Sequence, residues 1–143
     1  MTDMSLEAAV RARRSVRGFL PDPVPQETLD KVFDLARWSP SGTNIQPWQV
    51  YVASGATRDH LREQFMQRTK DKHPPSVDHK DSRGPIGEVW KTRRRECAAV
   101  LYDAMGVAWD DKPARAEVAF RNFELFDAPH VAFLCLNEVF GIG

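Results

Sequence analysis

The run His130-Val131-Ala132-Phe133-Leu134-Cys135-Leu136, entered through Pro129, constrains this chain more than any other segment. Apart from His130 it holds no polar side chain, and so it reads as a strand covered on both faces; a strand with one wet face alternates. Only one other segment has strand character, Gln49-Val50-Tyr51-Val52-Ala53, which is β-rich and does alternate. Two strands do not make a stable sheet alone, so the apolar run needs cover from elsewhere. The sequence ends soon afterwards at Gly143, and the cover is expected from missing C-terminal sequence, a partner subunit, or both.

The remaining pattern is helical. Ser5 is placed to cap a helix through about Ala12, and Pro25 suits the first turn of a second, with Leu29, Val32, Phe33 and Ala36 at helical period. Pro40 is expected to end it. Residues 57–67 and 88–105 form further helices, the latter presenting Trp90, Arg94, Cys97, Ala98, Leu101 and Met105 on one face ahead of a capping Gly106. A last helix is expected from about Pro113 to Leu125, with Phe120, Phe123 and Phe126 in period. Residues 70–87, rich in proline and charge, read as an exposed excursion.

With 143 residues and 42% apolar content, a single packed domain over residues 1–143 is expected. Twenty basic residues balance twenty acidic ones, which leaves no general field to draw in nucleic acid or an anionic membrane. Phosphate binding must then come from a local cluster. Apolar runs are too short to span a bilayer, and the N-terminus lacks a secretory apolar core. Cys97 and Cys135 stand far apart, each in an apolar run, and read as buried free thiols in a reducing cytoplasm. His60, His73, His79 and His130 have no metal-ligand spacing, and no metal site is expected; His130, at the head of a strand, reads as a satisfied structural histidine.

Two clusters carry chemistry. Arg13-Arg14-Ser15-Val16-Arg17 offers three guanidinium groups and a hydroxyl at a helix end, a donor set for a phosphate or another polyoxygen anion; a solvated basic turn is the competing reading. Ser39-Pro40-Ser41-Gly42-Thr43-Asn44-Ile45-Gln46-Pro47-Trp48 runs straight into the first strand. Its prolines stiffen it, Gly42 permits close backbone approach, and Asn44 and Gln46 carry amides able to read the edge of a flat heterocycle. A helix-to-strand loop whose amides satisfy their own backbone is the alternative there.

Taken together, these clusters, the intervening Pro-Asp-Pro-Val-Pro connector and the Gln-Pro-Trp ending resemble the N-terminal signature of the FMN-dependent nitroreductase family. A looser likeness returns at residues 122–136, through Phe126-Asp127-Ala128-Pro129-His130-Val131. The resemblance implies an α+β fold, a central, mainly antiparallel sheet flanked by helices, incomplete here at the C-terminus. It also implies an intertwined homodimer with FMN bound non-covalently at the interface. Arg13, Arg14, Ser15 and Arg17 would hold the phosphate, ribityl chain and pyrimidine side of FMN. Pro40, Ser41, Gly42, Asn44 and Gln46 would reach the isoalloxazine from the other subunit, with Asn122 as a further contact.

The reaction so implied is ping-pong: NAD(P)H gives hydride to flavin N5, and a nitroaromatic, quinone or related small aromatic acceptor is then reduced in the same pocket. The flavin is the reactive group, which accounts for the lack of a catalytic triad or an acid–base pair. Members of the family continue with a long central helix, a further strand and a basic C-terminal segment, none of which follows in this sequence. A flavin-binding module or inactive remnant without turnover is therefore the alternative function. Trp38, Trp48, Trp90 and Trp109 read as core or interface fillers, and Arg93-Arg94-Arg95 as a solvated helix face.

Overall fold

The computed structural model of the chain describes residues 4–74, 76 and 86–140. Ser5 opens α1 (Leu6–Ala12), its hydroxyl accepting from the Ala8 amide at 3.2 Å as an N-cap does. α2 (Gln26–Ala36) starts behind Pro25. It ends earlier than Pro40 would dictate, because the Trp38 and Ser39 amides turn back onto Leu35 O and Ala36 O in a tightened last turn.

β1 (Gln49–Ser54) passes directly into α3 (Gly55–Lys70), with Gly55 turning the corner at φ 51°. Residues 75 and 77–85 of the expected excursion lie outside the described residues. α4 (Glu88–Ala104) is followed by Gly106 at φ 66°, the expected left-handed terminus. α5 (Lys112–Phe120), capped by Asp111, stops well short of the expected Leu125. Leu125, Phe126 and Asp127 take φ of 57°, 52° and 60°, a left-handed turn through which no helix continues. Phe126 is thus off the helical face of Phe120 and Phe123, whose rings meet edge to face at 6.4 Å.

β2 (His130–Cys135) pairs antiparallel with β1, from Gln49 opposite Cys135 to Ser54 opposite His130. The architecture is the expected α+β, an antiparallel pair flanked by helices. One face of the pair, carrying Ala53, Val131 and Phe133, is covered by α3, where Phe65 meets Phe133 edge to face at 6.5 Å. Ala53, at 6% exposure, is the only buried residue among those described.

The other face is open. Val50, Val52 and Leu134 lie on it, and Leu134 is 74% exposed. The chain itself does not supply the second cover: α2 borders that side through Phe33 and Ala36 and leaves Val50, Val52 and Leu134 exposed. Cys97 and Cys135 are likewise exposed, which corrects the expectation of buried thiols. Cys97 projects from α4, a helix with no buried residue, and Cys135 sits at the outer end of the sheet, away from Ala53.

Candidate functional site

The first cluster forms where the backbone leaves α1 at Arg13. Arg14 curls back, its Nη1 donating to Arg11 O at 2.7 Å and Arg13 O at 2.9 Å, and so satisfies carbonyls freed at the helix end. Arg13 Nη1 reaches Ser15 Oγ at 3.5 Å, and Arg17 Nη1 donates to Ser15 O at 3.2 Å. All four residues are exposed. Arg11, one turn earlier, is paired with Glu7 at 2.8 Å; Arg13, Arg14 and Arg17 have no carboxylate partner among the described residues. Three uncompensated guanidinium groups on a short turn suit an anion with several oxygens.

The second cluster is built on unusual backbone. Thr43, Asn44 and Gln46 adopt φ of 49°, 56° and 46°, conformations that non-glycine residues enter at a cost. Side chains lock them there. Ser41 Oγ accepts from the Gln46 amide at 2.9 Å, and Gln46 Nε2 donates to Ser39 O at 3.0 Å and to Asn44 Oδ1 at 2.8 Å. Trp48 Nε1 donates to Gln46 Oε1 at 3.1 Å. Gln46 is therefore largely engaged inside its own loop, whereas Asn44 Nδ2 has no partner among the described residues. A Cβ built on Gly42 would meet nothing within 4 Å, so the space above that backbone is open to a ligand.

Asn122 lies past α5, its Nδ2 donating to Ala119 O at 2.9 Å. It lines a cavity of about 240 Å³ together with Arg17, Tyr102 and Phe126, which brings a residue of the Arg turn and the distant Asn122 to one place. Pro40, Asn44 and Gln46 line a separate recess with Trp38. No residue lines both, so among the described residues the two clusters line different cavities. A third, apolar groove of about 400 Å³ runs over the open sheet face between Phe33, Trp48, Val50 and Leu134.

Sequence reasoning missed two features. One is Trp48 as a donor to the loop; no periodicity signals it, because Gln46 at φ 46° breaks the extended chain just before it. The other is Arg121, which joins Asp127 at 2.8 Å and Glu124 at 3.4 Å and pins the left-handed turn. His130 is satisfied at both ring nitrogens, as expected: the Val24 amide donates to Nε2 at 2.8 Å, and Nδ1 lies 2.5 Å from Ser54 Oγ. Arg93 rests over the exposed Trp90 ring at 4.8 Å on an exposed stretch of α4, in line with a solvated face. Among the described residues no three His, Cys, Asp or Glu side chains converge to hold a metal, and no helix is long and apolar enough to cross a membrane.

Comparison with known proteins gives a consistent answer. The sequence model of the nitroreductase family matches residues 10–140. Nitroreductase NfnB of Mycolicibacterium smegmatis is 38% identical over 128 residues, which cover 90% of this chain and 54% of that protein. The crystal structure of the FMN-dependent nitroreductase NfnB from Mycobacterium smegmatis in complex with NADPH superposes with a TM-score of 0.82 at 38% identity, covering 91% of this chain and 58% of that one. The FMN- and NADPH-dependent nitroreductase NfnB from sphigopyxis sp. strain HMH gives a TM-score of 0.87 at 31% identity, over 96% of this chain and 62% of that one. The chain spans about half the length of the curated relatives it matches.

Proposed function

The chain belongs to the nitroreductase family, and we propose that it forms, as one domain over residues 1–143, the FMN-binding part of an NAD(P)H-dependent reductase of nitroaromatic, quinone or related small aromatic acceptors. The observation that carries this reading is the fold likeness to FMN-dependent nitroreductases across nearly the whole chain, NADPH being bound in one of them.

The residues present fit FMN. Arg13, Arg14 and Arg17 supply charge-assisted donors with no competing carboxylate, and Ser15 adds a hydroxyl. Pro40, Ser41, Gly42, Asn44 and Gln46 supply a stiff amide-bearing wall with open space above Gly42. Asn122 shares a cavity with Arg17 and joins the phosphate-side group. When bound, FMN supplies hydride acceptance at N5 and onward transfer, in the ping-pong order. The chain's own part is to bind, orient and shield: arginine near the pyrimidine side stabilises negative charge there, and the loop fixes the ring by hydrogen bonds.

The two clusters line different cavities, which supports an intertwined homodimer in which each FMN takes the Arg turn from one subunit and the amide loop from the other. The open sheet face and its apolar groove supply surface for such an assembly. Two unpaired thiols fit a cytoplasmic setting.

The test is direct. Purified protein supplied with FMN turns yellow, bleaches with NADPH under anaerobic conditions, and recovers its colour on addition of a nitroaromatic. Folded protein that takes up no FMN overturns the reading. Bound FMN that NADPH and NADH leave oxidised reduces it to a flavin-binding module without turnover.

A further inference from the structure

The hydrogen bonds of residues 39–48 run in one direction, and two of them are fixed by chemistry that admits no alternative. The indole Nε1–H of Trp48 is a donor only, so the Gln46 atom it meets at 3.1 Å must be the amide oxygen. The Ser39 carbonyl is an acceptor only, so the Gln46 atom 3.0 Å from it must be the amide nitrogen. Both ends of the Gln46 side chain agree on the same orientation. With Nε2 thus turned inward, its contact with Asn44 at 2.8 Å requires the Asn44 oxygen. Asn44 Oδ1 is therefore turned onto Gln46, Nδ2 is left without a partner among the described residues, and Asn44 lines the recess with Trp38, Pro40 and Gln46.

From this we infer that Trp48 is a positioning residue: it orients Gln46, which in turn orients Asn44, so that the loop offers a hydrogen-bond donor, and not an acceptor, to the bound heterocycle. The inference rests on the flavin reading given above and adds to it which edge of the ligand is recognised, one that accepts hydrogen bonds. A free asparagine amide would present donor and acceptor about equally and would lose part of its binding energy in choosing. Here the choice is made before the ligand arrives. The left-handed φ of Asn44 and Gln46, 56° and 46°, is a cost the loop meets in holding the two amides against each other.

The experiment is a double-mutant cycle on FMN affinity in the full protein, read by flavin fluorescence. Trp48→Phe keeps the ring and removes the N–H; Asn44→Ala removes the presented donor. Trp48→Phe alone is expected to weaken FMN binding about 3- to 10-fold, the range of one neutral hydrogen bond. In the Asn44→Ala background the same change should alter affinity by less than about 2-fold, because Trp48 then has nothing to orient. Equal effects in both backgrounds overturn the relay, since a purely structural tryptophan would act with or without Asn44. If Trp48→Phe does not fold, Gln46→Glu serves in its place: it still accepts from Trp48 and cannot donate to Asn44, and the same non-additivity is required.

A second measurement separates this inference from the flavin reading. In the free protein, the Asn44 side-chain amide proton resonances should move on Trp48→Phe, although no hydrogen bond among the described residues joins the two side chains directly. Unmoved resonances overturn the relay whether or not FMN binds. Moved resonances in a protein that takes up no FMN uphold the relay and overturn the flavin reading alone.

Discussion

The backbone amide of Val24 donates to His130 Nε2 at 2.8 Å, tying the proline-rich connector after α1 to the head of β2 across 106 residues of sequence. An Nε2 that accepts carries no proton, so in the neutral ring the proton sits on Nδ1 and is donated to Ser54 Oγ. Ser54 is also the residue before α3, where its hydroxyl makes no capping bond. His130 has claimed it, and one imidazole joins connector, β1 and β2. His130→Phe keeps the ring volume and removes both bonds. Urea unfolding is expected to register a loss of about 1–3 kcal/mol, two partly exposed neutral hydrogen bonds, and Ser54→Ala about half of it.

Replacing Arg13 and Arg17 together by methionine tests the anion site. FMN affinity is expected to fall at least about 10-fold, since each charge-assisted bond contributes about 1.5–3 kcal/mol. Riboflavin, which lacks the phosphate, should lose less. Equal losses for the two flavins in parallel fluorescence titrations would remove the phosphate from this turn.

Leu134→Asp addresses the open sheet face. In the isolated chain Leu134 is 74% exposed and a charge there would cost little. If an assembled protein covers the face, the substitution forfeits about 1.5–3 kcal/mol of leucine burial and adds a desolvation cost. Sedimentation velocity should then find dissociation at concentrations where the parent protein stays associated. Unchanged association would place the subunit contact elsewhere.

Arg121→Gln probes the left-handed turn of residues 125–127. Its ion pairs with Asp127 and Glu124 are partly exposed, so the loss should be small, about 0.5–1.5 kcal/mol. It should shrink as salt is raised toward 1 M, because screening weakens the pairs of the parent protein and not of the variant. A loss independent of salt would assign the role of Arg121 to packing.

Much of the fold was legible from local signals. Ser5, Pro25 and Gly106 marked helix ends because capping chemistry is local, and both strands were read from pattern. Local signals failed where a distant or backbone-level cause decided. The end of α5 was missed because Leu125 and Phe126 are poor left-handed residues by type, and the turn is held by Arg121 and by the Phe19 amide donating to Phe126 O at 3.1 Å. Cys97 and Cys135 were misjudged because an apolar run records what a residue needs, and the cover it needs is not among the described elements of one chain. At the candidate site, the residue types pointed to both clusters. The internal engagement of Gln46 was not legible, because it depends on positive φ angles at three non-glycine residues, Thr43, Asn44 and Gln46.

The register of the sheet has a further consequence, for the order of events during synthesis. Ser54 and His130 are 76 residues apart, and no pair in the two-stranded sheet is closer in sequence. β1 emerges from the ribosome long before its partner; at about 5–20 residues per second the wait is about 4–15 s. Throughout that interval an alternating, β-rich edge stands unpaired, the kind of segment that joins neighbouring nascent chains. α3 follows β1 without a break and forms from local contacts, so its docking is the earliest protection available. Substitutions that weaken α3, such as Phe65→Ser, should therefore reduce the yield of soluble protein out of proportion to their effect on the finished fold.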